Sequence, residues 1–366
     1  MQEHYRCWAE IDRGALRHNA ALVRDKFGTG VQLLAVIKAN AYGHGMVEVA
    51  RTIANQAAIF GVANLAEAIT LRETVPNPII ILGPALPTER AAIAEQGFIP
   101  SISTLEEARD FDRVGHGNKV EINFKIDTGM GRLGVLRDEA LRTFKEVNAL
   151  VNIKVHSVST HLPVSNEDEK FTREQLRNFG QLIRQLRADV PGSYKVHALQ
   201  TAGLLAFAEE PFEIVRPGIL IFGISPLPEF QSMLRPAMTW KTRIAVIRNM
   251  PAGHGISYGR TFITPNKMRV ATLSCGYADG YPRHLSNRGA SVLVRGRRCA
   301  LLGRVTMDLI MIDVSDLPEA GVGDEVVLMG RQGDEEVSCT ELAERAQTIT
   351  WEITTRIGAR VPRVYV

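Results

Sequence analysis

Short apolar runs alternate with segments of helical periodicity through the first two-thirds of the chain. The runs are rich in β-branched residues and almost uninterrupted by polar ones, as parallel strands buried on both faces are. About eight runs occur, which is the number that a (β/α)8 barrel requires. We predict the strands at residues 33–37, 59–63, 79–82, 99–102, 120–126, 153–157, 194–199 and 214–215.

Two kinds of signal predict helices between these strands. In the segment 171–190, apolar residues recur every three or four positions, at Leu176, Phe179, Ile183 and Leu186, which makes one apolar stripe. Thr104 precedes Glu107 by three residues, the spacing of a capping box at the beginning of a helix. The alternation of strand and helix therefore extends through this part of the chain.

The pattern changes after about residue 228. Short strands separated by Gly and Pro turns follow, and only residues 340–348 have helical periodicity. We predict a mostly antiparallel β module, with a domain boundary near residues 226–235. Its strands are predicted at residues 238–247, 268–273, 291–294, 307–314 and 325–329.

Composition narrows the class of protein. Of 366 residues, 45% are hydrophobic and 23% charged, which excludes a disordered chain. The net charge of +3, without a Lys/Arg run, gives no argument for nucleic-acid binding. The four cysteines form no CxxC pair, so neither a zinc site nor a disulfide framework is predicted. No apolar run approaches the ~18 residues of a membrane span, and no apolar segment follows the charged first residues, so we expect a cytoplasmic protein.

Polar residues with reactive or anion-binding side chains follow several of the predicted barrel strands. In such barrels the active site lies at the carboxyl ends of the strands. Lys38 follows a buried strand, and a desolvated lysine has a lowered pKa and can react with a carbonyl compound; alternatively, its charge simply reaches solvent. The other candidates at this end are Lys125, Arg132, His161, Thr201 and Arg216.

Glycine-rich turns supply further candidates. The turns at residues 200–203 and 216–219 follow the last two barrel strands, where backbone N–H groups often bind phosphate. Tyr258 precedes Gly259 in the β module and could act as an acid or base if nearby cations lowered its pKa. Each of these segments could also be an ordinary turn without a ligand.

Taken together, the motifs resemble those of the alanine racemase family. Residues 35–45, which contain Lys38, are similar to the family's motif for the lysine that binds pyridoxal 5'-phosphate. Other similar motifs follow in family order over essentially the whole chain, at residues 125–134, 159–162, 215–218, 258, 276–283 and 307–308. The resemblance implies a cofactor-binding barrel at 12–230. It also implies a β domain made of residues 231–366 together with residues 1–11. It also implies a homodimer with shared active sites.

The resemblance assigns the cofactor contacts residue by residue. Lys38 would hold pyridoxal 5'-phosphate covalently, Arg216 would face its pyridine nitrogen and His161 would orient the ring. An arginine there, unlike an aspartate, does not keep the nitrogen protonated, so the ring is a weaker electron sink and side reactions are fewer. The phosphate side would be lined by Tyr42, Thr201, Gly218, Ile219 and Trp351.

The resemblance also implies two bases, one on each face of the substrate. Lys38 would take the Cα proton of the D-enantiomer, and Tyr258 of the other subunit that of the L-enantiomer. Arg132 and the backbone around Met307 would bind the substrate carboxylate. The lysine that matches Lys125 is carbamylated in many members, which would give an anion able to orient Arg132. The supporting residues would be Lys125, Asp308 and Tyr277.

The expected activity is interconversion of L- and D-alanine, which supplies D-alanine for peptidoglycan. Trp351 stands where the family has a tyrosine, and Gln200 and Asn166 also depart from the usual residues. These differences leave a serine or broad-specificity racemase as the alternative. A decarboxylase on a related barrel would place an acid where Arg216 stands. A cofactor-handling barrel without activity would lack the domain that carries Tyr258.

Overall fold

The computed structural model describes residues 5–28, 30–208 and 212–366, which form two units. The barrel unit comprises Ala15–Ala41 and Met46–Arg235. The β unit comprises the chain up to Gly14, together with Tyr42–Gly45 and Pro236–Val366. Residues 1–4 of the predicted segment 1–11 lie outside the described residues. Tyr42–Gly45 therefore groups with the β unit, although the chain on both sides of it belongs to the barrel unit.

Eight parallel strands form the barrel. The eighth strand pairs with the first, and the others follow in chain order. A bridge between Gln200 and Arg216 joins the chain after the seventh and eighth strands, so the barrel is nearly closed, and the predicted (β/α)8 fold is confirmed. The strands are Gln32–Val36, Ile59–Val62, Ile79–Ile81, Ile99–Ile102, Val120–Asp127, Ile153–Ser159, Lys195–His197 and Ile214–Val215, with a short addition, Val135–Leu136, on the fifth.

The helical signals in the sequence correspond to helices of the structure. Thr104 Oγ1 accepts a hydrogen bond from Glu107 N at 3.1 Å, and the Glu107 carboxylate accepts from Thr104 N at 3.2 Å, so the capping box is confirmed. The predicted apolar stripe is buried on the face of Glu169–Asp189. The helices in this part of the chain are Arg13–Phe27, Met46–Ile53, Leu65–Arg72, Arg90–Glu95, Leu105–Val114, Arg137–Asn148, Glu169–Asp189 and Thr201–Ala206. No helix in the described ranges is both long enough and apolar enough to cross a membrane.

A nine-stranded, mostly antiparallel sheet forms the β unit. Its longest strand, Met238–Met250, pairs antiparallel with Cys7–Ile11 and runs through the middle of the sheet. Cys7–Ile11 also pairs in parallel with the last strand. The strands are Cys7–Ile11, Met238–Met250, Met268–Leu273, Ser291–Val294, Arg297–Ala300, Ile310–Asp313, Glu325–Gln332, Glu335–Val337 and Arg363–Tyr365, and Gly255–Ile256 pairs separately with Phe262–Ile263.

The β unit differs from the prediction in where one strand begins and in how many helices follow. The strand predicted from residue 307 begins at Ile310, because Thr306 and Leu309 close a tight turn with a backbone hydrogen bond of 3.0 Å. The single helix predicted at 340–348 is Cys339–Ala346, and a second helix, Thr350–Thr355, follows it. Six residues are too few for helical periodicity to be visible in a sequence. Trp351 therefore lies on a helix that the pattern did not reveal.

We expect Gly43→Ala to destabilise the protein more than Gly97→Ala does. Both glycines have positive φ, 85° and 66°, so each substitution strains the backbone. At Gly43 the new Cβ would also lie 2.1 Å from the carbonyl oxygen of Thr354, whereas nothing lies within 4 Å of it at Gly97. Thermal unfolding should show a clearly larger fall in midpoint for Gly43→Ala. Equal falls would contradict the close packing of Gly43.

Candidate active site

The barrel gathers positively charged and potentially charged side chains at the carboxyl ends of its strands. Burial, followed by the charges of Arg216, Arg132 and Lys38, lowers the pKa of Lys125 to about 7, while the charge of Asp127 opposes this shift. Lys125 is therefore partly a neutral amine at neutral pH. These four cations interact electrostatically, so the structure brings together residues that the sequence placed on separate strands.

His161 and Lys38 respond to the same positive environment. Burial, followed by the charge of Arg216, lowers the pKa of His161 to about 2, so its ring is neutral. The pKa of Lys38 is lowered first by burial and then by Arg132, against a smaller raising effect of Glu67. A lysine with a lowered pKa carries its reactive neutral form at lower pH than an ordinary lysine does.

Arg216 has a buried hydrogen-bond donor that no described residue accepts from. Its Nη2 donates to the carbonyl oxygens of Thr160 and Ala198, both at 2.6 Å, which fixes the guanidinium plane. Burial lowers its pKa to about 10, so it stays charged at neutral pH. Its Nε is buried and has no partner within the described residues. Leaving a buried donor unpaired costs about 1–3 kcal/mol, so this N–H points to an acceptor from a ligand.

A left-handed turn directly after Lys38 determines where the lysine stands. Ala39, Asn40, Ala41 and Tyr42 have φ between 52° and 54°, a region that costs non-glycine residues about 1–2 kcal/mol each. The Glu67 carboxylate accepts from Ala39 N at 2.7 Å and from Ala63 N at 2.8 Å, which anchors the beginning of the turn. Strain of this kind persists only where surrounding contacts hold it, as they commonly do at functional sites.

Asp127 folds the loop that carries Arg132. One oxygen of its carboxylate accepts from Gly129 N and Met130 N, both at 2.8 Å, and the other accepts from Arg132 N at 3.2 Å. Neither Asp127 nor Glu67 was among the predicted site residues. An aspartate two residues before a glycine is a turn signal that could have indicated Asp127; nothing in the local pattern indicated Glu67.

The two turns predicted to bind phosphate contact each other. Thr201 Oγ1 accepts from Gly218 N at 3.1 Å, and Thr201 begins the helix Thr201–Ala206. Gln200 caps that helix through a 2.9 Å hydrogen bond from Gly203 N. Thr201, Gly218 and Ile219 are all buried. The hydrogen bond therefore joins the beginning of the helix Thr201–Ala206 to the residue that precedes the short 3-10 helix Ile219–Phe222.

The other predicted site residues belong to the β unit. Tyr42 is buried, which raises the pKa of its phenol. Trp351 is half-buried on the helix Thr350–Thr355, whose Thr354 carbonyl packs closely against Gly43. Tyr258 is 71% exposed at the beginning of the short 3-10 turn Tyr258–Arg260. The members of the β unit in the predicted set are Tyr42, Tyr258, Tyr277, Met307, Asp308 and Trp351.

Tyr277 and Met307 lie on two loops that are hydrogen-bonded to each other. Tyr277 N donates to Thr306 O at 3.0 Å, and Ala278 N donates to Met307 O at 2.9 Å. Met307 and Tyr277 remain 53% and 40% exposed. This pair of loops presents an exposed backbone segment, a suitable surface for a small polar ligand.

Both halves of the chain match family models. Residues 11–226 match the N-terminal domain of alanine racemase, and residues 237–365 match its C-terminal domain. The alanine racemase of Halothermothrix orenii is 42% identical over 98% of this chain and 96% of its own length. That of Symbiobacterium thermophilum is also 42% identical, over 98% and 96%.

Solved structures give the same result. Alanine racemase from Clostridium difficile superposes with a TM-score of 0.94 at 31% identity, covering 99% of this chain and 96% of that one. The enzyme from Bacillus anthracis, solved with bound L-Ala-P, gives a TM-score of 0.91 at 34% identity, over 99% and 95%. The two family models, the similar sequences and the similar structures all point to one family. The chain therefore belongs to the alanine racemase family.

Proposed function

We propose that the chain interconverts L- and D-alanine with pyridoxal 5'-phosphate, by a two-base mechanism. The observation that carries the proposal is the Nε–H of Arg216, which has no partner among the described residues. Arg216 belongs to a group of electrostatically interacting basic side chains that also includes Lys125, Arg132 and Lys38. Such a site suits a ligand with a ring nitrogen that accepts a hydrogen bond, a phosphate that carries negative charge and a carbonyl that reacts with an amine.

The residues of the barrel fit this cofactor. The Arg216 Nε–H would donate to the ring nitrogen, and neutral His161 would orient the ring without adding charge. Thr201, Gly218 and Ile219 would hold the phosphate, together with Tyr42 and Trp351. When bound, pyridoxal 5'-phosphate supplies a carbonyl for the substrate amine and a ring that withdraws electrons from Cα.

Proton transfer is assigned to two side chains. Lys38 Nζ would take the Cα proton of D-alanine, because its lowered pKa makes the neutral amine available. The Tyr258 phenol would take that of L-alanine, and its 71% exposure leaves it free to enter the site of another subunit. We therefore propose a homodimer in which each barrel receives Tyr258 of the partner subunit.

Lys125 and Arg132 would prepare the substrate side. The pKa of Lys125 near 7 provides a neutral amine that can add carbon dioxide and release a proton to solvent, and the resulting carbamate would place an anion beside two arginines. That anion would orient Arg132 toward the substrate carboxylate, which the backbone around Met307 would also meet. Asp308 and Tyr277 would support this arrangement from the loops of the β unit.

The proposed role is to supply D-alanine for peptidoglycan in the cytoplasm. The four cysteines are free thiols, as is usual for a protein of a reducing compartment. A serine or broad-specificity racemase is the second candidate, and Trp351 is the residue that favours it. An indole changes the shape of the pocket wall and cannot accept a hydrogen bond, whereas a phenol can.

Lys38→Ala should abolish racemisation in both directions and prevent covalent attachment of the cofactor. The test is borohydride reduction of the holoenzyme followed by mass spectrometry. Lys154→Ala is the matched control, because Lys154 is an exposed barrel lysine paired with Glu121 near the other end of the strands. A cofactor adduct on another lysine of the Lys38→Ala variant would contradict the assignment.

Tyr258→Phe should slow exchange of the Cα proton of L-alanine far more than that of D-alanine, because only the L-side base is lost. Single-direction exchange in deuterated water measures each enantiomer separately. Equal losses would show that the two-base assignment is wrong.

Subunit mixing tests whether the site is shared. Heterodimers of Lys38→Ala and Tyr258→Phe subunits should regain activity, because one of their two sites would contain both native bases. Verified heterodimers without activity would contradict sharing.

Trp351→Tyr should lower the ratio of kcat/KM for serine over alanine. Discrimination by one small group in a pocket is limited to about 1–3 kcal/mol, so the change should be moderate. Racemisation of alanine should survive, since both bases remain. An unchanged or increased ratio in a folded, cofactor-loaded variant would reject a specificity role for Trp351.

A further inference from the structure

Arg360 joins the two loops of the β unit that carry Tyr277 and Met307. Its Nε donates to Asp279 Oδ1 at 2.7 Å, and its Nη2 donates to Asp308 Oδ1 at 2.7 Å. Both are charge-assisted hydrogen bonds, which are shorter and stronger than neutral ones. The two carboxylates hold the pKa of Arg360 above its usual range. One guanidinium thus connects residues that are 81 and 52 positions away along the chain.

The Asp279 side of this connection is firmly held. The side chain of Asp279 is 9% exposed, and its second oxygen accepts from Gly276 N at 2.8 Å. Gly276 itself is packed so closely that a Cβ there would lie 2.2 Å from Met307 O. A displacement of the Asp279 turn would therefore be transmitted directly to the backbone of Met307.

The backbone of Met307 has one group occupied and one available. Its carbonyl oxygen accepts from Ala278 N at 2.9 Å. Its N–H has no acceptor in the part of the chain that the structure describes, and the residue is 53% exposed. A backbone N–H without a partner, in an exposed residue, is a suitable donor to a small carboxylate.

We propose that Arg360 is a positioning residue that sets the Met307 N–H for the substrate carboxylate. This inference rests on the proposed function, in which the backbone around Met307 meets that carboxylate. Arg360 acts in two ways. It bridges Asp279 and Asp308 and so fixes the loop that contains Met307. Its positive charge also offsets one of the two negative charges that would otherwise repel an incoming carboxylate.

An arginine is needed here because the bridge has two ends. The planar guanidinium presents several donors in a rigid fork, whereas a lysine offers a compact ammonium on a flexible chain. Lysine at this position keeps the charge but loses part of the geometry. Arg360→Lys should therefore be intermediate between the native protein and Arg360→Gln, which loses both.

The experiment compares two ligands that differ in the carboxylate. The holoenzymes of Arg360→Gln and Arg360→Lys are assayed for kcat and KM with alanine. They are then titrated with alanine and with ethylamine, which lacks the carboxylate, and the visible absorbance of the bound cofactor reports binding. Arg331→Gln is the matched control, because it also removes an arginine–carboxylate pair in the β unit, with Glu336 at 2.9 Å, at a side chain 74% exposed.

We expect Arg360→Gln to raise the alanine KM roughly tenfold, comparable to the loss of one charge-assisted hydrogen bond, with a smaller fall in kcat. Arg360→Lys should raise it by a smaller factor. Ethylamine binding should stay the same in both variants, and Arg331→Gln should match the native protein throughout. If Arg360→Gln does not fold, the same separation between alanine and ethylamine in Arg360→Lys supports the proposal.

Three results would overturn the inference while leaving the proposed function intact. They are a native alanine KM in Arg360→Gln, a native alanine KM in Arg360→Lys, and equal weakening of alanine and ethylamine binding. The last would indicate a general loss of structure. A native holoenzyme that does not racemise alanine would instead overturn the proposed function itself.

Discussion

Unbalanced positive charge at one end of the barrel is the constraint on which the rest of the site depends. Arg216, Lys125, Arg132 and Lys38 act on one another there, and the nearby carboxylates of Asp127 and Glu67 do not cancel them. Burying charges without partners is costly, so the pKa values of the lysines fall and His161 stays neutral. The charges at this end of the barrel favour an anion, and the lowered pKa of Lys38 makes its neutral amine available at a lower pH than that of an ordinary lysine.

The carboxylates of the barrel have a structural task that agrees with this electrostatic arrangement. Glu67 and Asp127 accept hydrogen bonds from backbone N–H groups, and these bonds hold the left-handed turn after Lys38 and the loop before Arg132. The two carboxylates are hydrogen-bonded to backbone N–H groups rather than paired directly with the basic side chains. The reactive side chains are therefore held in place without being neutralised.

In the β unit, two loops are joined by ion pairs between side chains, whereas in the barrel carboxylates accept from backbone N–H groups. Arg360 has two carboxylate partners, and the loops that it connects carry Tyr277 and the exposed backbone of Met307. Charge is balanced within this cluster except for one negative charge. The barrel thus provides attraction for an anion, whereas the β unit provides a donor whose position depends on a paired ion cluster.

The sequence by itself determined the barrel, the β domain and the identity of most candidate residues. The β-branched runs and the capping box at Thr104 depend on residues that are close together in the sequence. Features of this kind can be recognised from the sequence pattern alone. The family motifs carried Lys38 and the other candidates. Only the tertiary structure revealed the left-handed turn, the unpartnered Nε of Arg216, the helix that carries Trp351 and the bridge made by Arg360. Each of these depends on which distant residues meet, or on a segment too short to show a period, and no local pattern encodes that.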